Sequence, residues 1–274
     1  MAVIISVVNQ KGGVGKTTTA INLAAALAEK SQKVLLVDLD AQGNATSGLG
    51  TSPREVKKGT YEVLSGSASV DDVIVGTENP FLDIVPAAPA LAGANIELVN
   101  VTGREFLLRS ALEPAKEKYD FIILDAPPSL GLVTINGLVA SDYILIPVQS
   151  EYYALEGIGQ LLNTIQLIQQ NLGAHTQILG AVITLYDKRV KLSDQVAEEI
   201  RKHFPAYVFS TYIPRNVRLT EAPSYGQSVL NYDSRSKGAK AYRELAEEVM
   251  TALQHLQQTL ETQNYGESRT GEGA

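Results

Sequence analysis

Cysteine and tryptophan are absent from this chain of 274 residues, and histidine occurs three times, at His175, His203 and His255. Without cysteine the chain has no disulfides, no thiolate zinc site and no cysteine-ligated iron–sulfur cluster. The histidines are scattered and indicate no metal site. No apolar run approaches the length of about 20 residues that a membrane-spanning helix needs, and the first residues show no secretory signal pattern. We therefore expect a cytoplasmic protein.

Positive charge is scarce overall and unevenly placed. The formal net charge is −7, from 23 Lys and Arg against 30 Asp and Glu. Residues 185–243, however, carry 11 basic and 6 acidic side chains, whereas residues 244–274 carry 1 and 6. The overall balance argues against nucleic-acid binding by the whole surface, but the late segment predicts a local basic surface on an acidic protein.

Glycine is concentrated where the first apolar run ends. Residues 3–8 read VIISVV, residues 9–19 read NQKGGVGKTTT, and an Ala- and Leu-rich segment follows. A strand, a glycine-rich turn and a helix that starts with Gly-Lys-Thr form the context of a phosphate-binding loop. In such a loop Lys16 would reach the β- and γ-phosphates and the Thr17 hydroxyl would ligate Mg²⁺. A glycine-rich turn with a chance lysine is the alternative, and the agreement of loop, strand and helix disfavours it.

Two further apolar runs end in acidic residues. The sequence KVLLVDLD predicts a buried strand that ends in Asp38 and Asp40 before a polar loop at residues 41–48, and YDFIILD predicts a strand that ends in Asp125. Open α/β sheets bind ligands at the carboxyl ends of their parallel strands. Asp125, downstream of a phosphate-binding loop, fits the strand whose aspartate holds Mg²⁺. For Asp38 and Asp40 a solvated strand end is the alternative.

The loop departs from the commonest pattern, because Gln10 stands where glycine is usual and Lys11 is a second lysine. One loop rarely needs two lysines on one phosphate group, so we interpret Lys11 as serving a second nucleotide across a dimer interface. The sequence KGGVGKTT at residues 11–18 resembles the deviant Walker A box of the ParA/MinD ATPases. Residues 38–44 resemble the Walker A′ motif of ParA proteins, with Ala41 for the usual proline, and residues 125–129 are similar to their D-x-P-P-S signature.

The resemblance covers residues 3 to about 250 and is closest to the short chromosomal, Soj-type members. It implies a partitioning ATPase that forms a homodimer around ATP and Mg²⁺ and binds nonspecific DNA in that state. It further implies slow hydrolysis that a ParB-type partner stimulates to release the DNA. A protein of this kind would be associated with the nucleoid.

The same resemblance assigns residues to roles. The catalytic residues would be Lys11, Lys16 and Asp40, with Asp40 orienting the attacking water. Thr17 and Asp125 would hold the metal, and Arg189 and Arg218 match positions of DNA-binding arginines. The nucleotide would be bound by Lys11, Gly12, Gly13, Val14, Gly15, Lys16, Thr17 and Thr18, with Pro214 and Asn216 against the adenine.

Strands and helices alternate at the spacing of βαβ units, which predicts an α/β fold with a doubly wound, mainly parallel sheet flanked by helices. Residues 1–262 are expected to form a single P-loop ATPase domain that ends in a helix with one apolar stripe. Residues 263–274 are polar and are expected to be a disordered tail. Because the loop begins near residue 9, we expect no helix-turn-helix domain of the kind that larger plasmid-type relatives carry.

Two other functions remain open. A MinD-like division regulator would bind membrane through a basic amphipathic helix, but the last residues carry Arg269 against Glu267 and Glu272, which disfavours an anchor. A P-loop metabolic ligase would need a substrate pocket for which the sequence shows no motif. The sequence TLYD at residues 184–187 is similar to the guanine-reading T-K-x-D motif, but Leu185 replaces its lysine, which disfavours GTP.

Overall fold

The computed structural model describes residues 1–151 and 154–270 of the chain. In this part of the chain, eight strands form one sheet in the order β3-β4-β2-β5-β1-β6-β7-β8. Neighbouring strands are parallel except for the antiparallel pair β3–β4. The strands are β1 (Val3–Val7), β2 (Val34–Asp38), β3 (Val75–Gly76), β4 (Leu82–Val85), β5 (Phe121–Asp125), β6 (Tyr143–Gln149), β7 (Gln177–Tyr186) and β8 (Val208–Pro214).

Helices connect the strands and cover both faces of the sheet. The α-helices are α1 (Lys16–Glu29), α2 (Asn44–Gly48), α3 (Thr60–Ser65), α4 (Ala94–Glu97), α5 (Leu107–Leu112), α6 (Leu132–Ala140), α7 (Ala154–Leu172), α8 (Lys191–His203), α9 (Val217–Glu221), α10 (Val229–Tyr232) and α11 (Lys237–Thr270). Short 3₁₀ helices span Pro89–Gly93, Arg104–Phe106, Glu113–Glu117 and Ala222–Tyr225. Among the described residues, no helix is long and apolar enough to cross a membrane.

The central strands β1, β2, β5 and β6 are mostly apolar, because both of their faces are buried. Successive side chains of a strand point to opposite faces. Ile5 accordingly belongs to a core with Leu23 of α1 and Tyr242 of α11, whereas its neighbour Ile4 belongs to a core with Leu108 of α5. A third core lies between β6 and β7 and the helices α6, α7 and α8. The predicted doubly wound, mainly parallel α/β fold is confirmed.

The register of the central strands brings the ends of three of them together. Val7 of β1 pairs with Asp125 of β5, and Asp125 pairs with Asp38 of β2. The sheet continues from β1 through β5, β2 and β4 in one direction and through β6, β7 and β8 in the other. Such a switch point leaves a crevice at the carboxyl ends of the strands, which is where this fold binds ligands.

The segment predicted as a polar loop after β2 contains a helix. Residues 41–48 are rich in Asn, Thr, Ser and Gly, which favours a loop, but α2 occupies Asn44–Gly48. The reason is tertiary, since the buried Asp38 carboxylate accepts hydrogen bonds from the Thr46 N–H (2.8 Å) and hydroxyl (2.6 Å). These bonds hold the first turn of α2 against the end of β2.

The last helix extends beyond the predicted end of the domain. Helix α11 runs to Thr270, past the expected boundary at residue 262, and residues 271–274 lie outside the described part. The division into a domain and a disordered tail stays a prediction. The predicted apolar stripe packs on the sheet, with Leu245, Val249 and Leu253 buried in the same core as α1.

Helix α11 also packs against β8, the strand at one edge of the sheet. The register of β8 against β7 shifts between Ala181 and Ile183. Where the register shifts, the N–H groups of Ser210 and Thr211 donate to the Glu248 carboxylate at 2.6 and 3.0 Å. The Glu248 side chain of α11 therefore accepts hydrogen bonds from backbone N–H groups of the edge strand.

Candidate nucleotide-binding site

The loop between β1 and α1 depends on two glycines in the left-handed region. The φ angles of Gly13 and Gly15 are 75° and 86°, and Gly15 stands at the N-terminus of α1. Side chains with a Cβ are strained in this region. Nothing lies within 4 Å of where a Cβ would stand at Gly12 or Gly13. The loop backbone therefore faces open space in front of a helix N-terminus, the arrangement that binds phosphate.

Side chains from distant strands fix the loop. The Asn9 side chain donates to the Pro147 carbonyl at 2.7 Å and accepts from the Lys11 N–H at 3.0 Å. At the other end, the buried Thr184 hydroxyl donates to the Val14 carbonyl at 2.7 Å. The loop is thus held in shape by contacts with β6 and β7.

The two lysines of the loop occupy different positions. Lys16 is buried, and its ammonium donates to the Lys11 carbonyl at 3.1 Å, across the inside of the loop. Burial lowers the pKa of Lys16, and the charges of Asp125 and Asp40 partly offset that effect. The Lys11 ammonium instead lies near the surface, 3.1 Å from a carboxylate oxygen of Glu151.

The carboxylates of Asp38 and Asp125 are both buried, at the neighbouring ends of β2 and β5. Asp38 accepts hydrogen bonds from Thr46 and from the Asp40 N–H (3.1 Å). Burial raises the pKa of Asp38 to about 6, although the hydrogen bonds from Thr46 oppose the shift. Burial, followed by the charge of Asp38, raises the pKa of Asp125 well above its usual value, and the nearby Thr17 hydroxyl opposes that rise.

The Asp125 oxygens fit a magnesium ion. Both are buried, and neither accepts a hydrogen bond of normal geometry in residues 1–151 and 154–270, although the Thr17 hydroxyl is near enough to lower the pKa of the carboxyl. Buried polar atoms without partners are rare and costly in folded proteins. The same residues contain no group of three or more His, Asp or Glu that would form a complete cage for a metal. Mg²⁺ suits such a site, because it usually takes one or two protein ligands and completes its shell with water and substrate phosphates.

A pocket of about 510 Å³ adjoins the loop. Gly15 and Thr18 line it on the side of α1, and Pro214 and Asn216 line it at the end of β8. The structure therefore brings together the two distant segments predicted to bind one nucleotide. The Asn216 side-chain oxygen accepts from the Arg218 N–H at 2.8 Å and caps α9, which leaves the amide NH₂ as the end that can donate to a ligand.

Sequence reasoning assigned four of the thirteen residues that line this pocket, and three of those it missed have further contacts or an unusual backbone. Leu185 and Tyr242 line it, and Thr184 both lines it and holds the loop. Leu185 has a φ of 53°, which is unfavourable for a residue with a branched side chain. The hydroxyls of Tyr242 and Thr19 lie 3.2 Å apart, which connects α11 to α1 inside the protein. The only signal in the sequence was the similarity of residues 184–187 to a base-reading motif.

Asp40 does not line the 510 Å³ pocket but lies at a second cavity. It lines this cavity, of about 290 Å³, together with Gln42, Asn95 and the prolines that follow Asp125. Its side-chain oxygen accepts from the Gln42 N–H at 3.0 Å. The second cavity shares no lining residue with the 510 Å³ pocket, and the charge of Asp40 nevertheless acts on Lys16 inside the loop.

Neither predicted DNA-binding arginine lines these cavities. Arg189 follows β7 at the surface and donates to both oxygens of Asp187, at 2.9 and 2.7 Å. Hydrogen bonds from Arg189 hold the pKa of Asp187 well below its usual value. Arg218, in α9, forms ion pairs with Glu221 (2.8 Å) and Asp233 (3.2 Å).

An open phosphate-binding loop, a buried lysine and strand-end carboxylates define a P-loop nucleotide-binding protein. A family model described as "AAA domain" matches residues 2–178. The "Sporulation initiation inhibitor protein Soj" of Bacillus subtilis is 54% identical over 249 residues, which cover 91% of this chain and 98% of that protein. The "Chromosome partitioning protein ParA" of Myxococcus xanthus is 50% identical, over 90% and 87% of the two chains. The chain belongs to the Soj/ParA family of P-loop ATPases, as the sequence motifs predicted.

Solved structures share the fold. One, described as cobyrinic acid a,c-diamide synthase from Mycobacterium smegmatis with bound ADP and magnesium, is 39% identical with a TM-score of 0.81 and covers 90% of this chain and 93% of that chain. A plasmid partition protein from Borrelia burgdorferi bound to AMPPNP is 28% identical with a TM-score of 0.76, and the matched regions are 92% and 99% of the two chains. Both of these structures contain an adenine nucleotide or its analogue, and the first also contains magnesium.

Proposed function

We propose that this protein is a chromosome- or plasmid-partitioning ATPase. It binds ATP with Mg²⁺, forms a homodimer around the nucleotide and then binds DNA regardless of sequence. A ParB-type DNA-binding partner stimulates its slow hydrolysis and so releases it from DNA. The observation that carries the proposal is the buried, unpartnered Asp125 carboxylate beside the open loop of Lys16, in a chain 54% identical to Soj over 249 residues.

The residues of the site would have separate roles in phosphate binding, Mg²⁺ binding and hydrolysis. The loop N–H groups and the N-terminus of α1 bind the phosphates, and Lys16 exchanges its bond to the Lys11 carbonyl for bonds to phosphate oxygens. Thr17 and Asp125 hold Mg²⁺, which when bound neutralises phosphate charge. Asp40 orients the attacking water from the second cavity.

The remaining contacts determine which base is bound, how two protomers associate and how the dimer binds DNA. Pro214 and Asn216 contact the adenine in the pocket of about 510 Å³. Lys11 acts on the nucleotide of the partner protomer, which suits its position at the surface of the loop. Arg189 and Arg218 contact DNA phosphates, and pairing of two protomers doubles the number of such contacts. DNA binding would thus depend steeply on ATP, and the protein would be associated with the nucleoid.

One experiment separates this function from its competitors. The protein is sedimented with plasmid DNA and, separately, with anionic liposomes, each with ATP, with ADP and without nucleotide. A partitioning ATPase sediments with plasmid in ATP alone. Liposome binding in ATP would instead support a MinD-like protein. Binding to neither would favour a metabolic ligase, the class that the description of the mycobacterial structure suggests.

Replacing Lys11 with alanine should weaken ATP-dependent dimerisation about tenfold or more, since a hydrogen bond to a charged group is worth about 1.5–3 kcal/mol. ATP affinity of the monomer should change little, because Lys16 remains inside the loop. Analytical ultracentrifugation with ATP measures the first quantity and calorimetry the second. Lys30→Ala is the matched control, since Lys30 also forms a surface ion pair, with Glu247 (2.8 Å). An unchanged ATP dimer would rule out action across the interface.

Replacing Arg189 or Arg218 with alanine should abolish retention of DNA while ATP binding and dimerisation persist. Contacts to phosphates carry no sequence information, and each lost contact lowers the salt dependence of log K by about 0.9. DNA binding with ATP, measured over a salt series, gives both affinity and slope. Arg109→Ala, an exposed arginine outside the basic segment, is the control. An unchanged affinity and slope in the double variant would place the DNA surface elsewhere.

A further inference from the structure

The Arg189 guanidinium is already bound to an anion. Its Nε donates to Asp187 Oδ1 at 2.9 Å and its Nη2 donates to Oδ2 at 2.7 Å. Two parallel N–H···O bonds are the strongest way in which arginine recognises a carboxylate, and arginine recognises a phosphate with the same fork. The edge of the guanidinium that would grip a DNA phosphate is therefore occupied by a side chain of the same chain.

The carboxylate is fixed, whereas the arginine projects outwards. The Asp187 side chain is 19% exposed and that of Arg189 is 83% exposed. Asp187 Oδ1 also accepts from the Arg189 N–H at 3.0 Å, which closes a tight turn at the end of β7. The preceding carbonyl, of Tyr186, accepts from the Arg215 N–H at 3.0 Å and anchors the turn to the end of β8. Asp187 thus stays in place while Arg189 can turn away from it.

Neighbouring basic residues lack this compensation. Lys188, Lys191 and Arg215 form no ion pair with any residue of the described part of the chain. Arg215 is near enough for its charge to help lower the pKa of Asp187, but Arg189 alone among these four residues forms hydrogen bonds to that carboxylate. Arg218, the other proposed DNA-binding arginine, is paired with Glu221 and Asp233 instead.

We propose that Asp187 is a built-in competitor of DNA for Arg189 and sets how tightly the protein holds DNA. This inference rests on the proposed DNA-binding function. Arg189 exchanges the carboxylate for a DNA phosphate when DNA binds, and the carboxylate recaptures it when DNA leaves. The exchange conserves the two charge-assisted bonds of Arg189, so this arginine contributes reversible rather than tight binding.

The test is Asp187→Asn, which keeps the oxygen that caps the turn and removes the charge. We expect DNA affinity with ATP to rise about two- to fivefold for each protomer, the range that exposed ion pairs span. The salt dependence should become steeper, because Arg189 then meets the phosphate with its charge uncompensated. Glu198→Gln, an exposed acid of α8 in the same basic segment, controls for the general loss of negative charge.

A double-mutant cycle decides between the explanations. The cycle is measured at low salt, where phosphate contacts are strongest and the Arg189→Ala protein keeps a measurable DNA affinity. In that background, Asp187→Asn should produce no gain, because Asp187 then has no arginine to withhold from DNA. An equal gain in both backgrounds, or an equal gain from Glu198→Gln, would overturn the proposal and leave only a general charge effect. If Arg189→Ala alone leaves DNA binding unchanged, the proposed DNA surface itself is wrong. The two failures are thereby distinguished.

Discussion

Replacing Lys16 with alanine should abolish tight ATP binding, with a loss of about 100-fold or more. In residues 1–151 and 154–270, Lys16 is the lysine buried inside the loop, and its ammonium already lies 3.1 Å from a loop carbonyl. Each hydrogen bond to a charged group is worth about 1.5–3 kcal/mol, and this ammonium would bridge two phosphates. Calorimetry of ATP binding by the monomer measures the effect.

The fold should survive this substitution. Burial lowers the pKa of Lys16, which means that the folded protein disfavours the charged ammonium relative to water. Losing that charge should therefore cost the fold little, even though the bond to the Lys11 carbonyl is lost, and circular dichroism with thermal melting should show a folded protein. Lys11→Ala serves as the control that keeps monomer binding. Near-normal ATP affinity in a folded Lys16→Ala protein would disprove the assignment of the phosphate-binding loop.

Replacing Asp40 should stop turnover and leave ATP binding and dimerisation intact. The carboxylate lies at the second cavity, away from the pocket of about 510 Å³, so it is placed to act on water and not on the base. Loss of a general base or water-orienting group costs about 10²–10⁴-fold in rate. Phosphate release measures turnover, and sedimentation with ATP measures the dimer.

Two substitutions at this position separate charge from loop structure. Asp40 Oδ1 accepts from the Gln42 N–H at 3.0 Å, a bond that asparagine can keep and alanine cannot. If the carboxylate charge is what matters, Asp40→Asn and Asp40→Ala lose turnover alike while both form the ATP dimer. Normal hydrolysis by Asp40→Asn would show that Asp40 holds the loop and does not act on water.

The sequence predicted the central part of the site because its signals are local. Apolar runs that end in Asp38 and Asp125 predict buried strands, and the loop of Lys16 is recognisable within about a dozen residues. The alternation of strands and helices then predicts that these strand ends meet. Each of these inferences requires only neighbouring residues and the general rules of α/β folds.

The supports of the site could not be predicted in this way. The hydrogen bond from the Thr184 hydroxyl to the Val14 carbonyl joins residues 170 positions apart, and the sequence near neither residue predicts it. Helix α2 forms because the Asp38 carboxylate, from an adjacent element, holds Thr46, which outweighs the weak helix propensity of its own residues. The left-handed backbone of Leu185, which lines the pocket, likewise has no signal in its own sequence. Such features depend on tertiary contacts that propensity does not contain.

The carboxylate of Glu248 has a consequence for how this protein associates with copies of itself. An open sheet can grow sideways when a strand from another molecule pairs with its edge, which is a common route to aggregation. At the β8 edge, Glu248 occupies the N–H groups of Ser210 and Thr211, and an incoming strand would have to displace a charged group from both. At the opposite edge, β3 spans only Val75–Gly76 and offers little to pair with. The sheet is thereby protected from lateral growth at both edges, so copies of the protein can be close together without pairing through their strands.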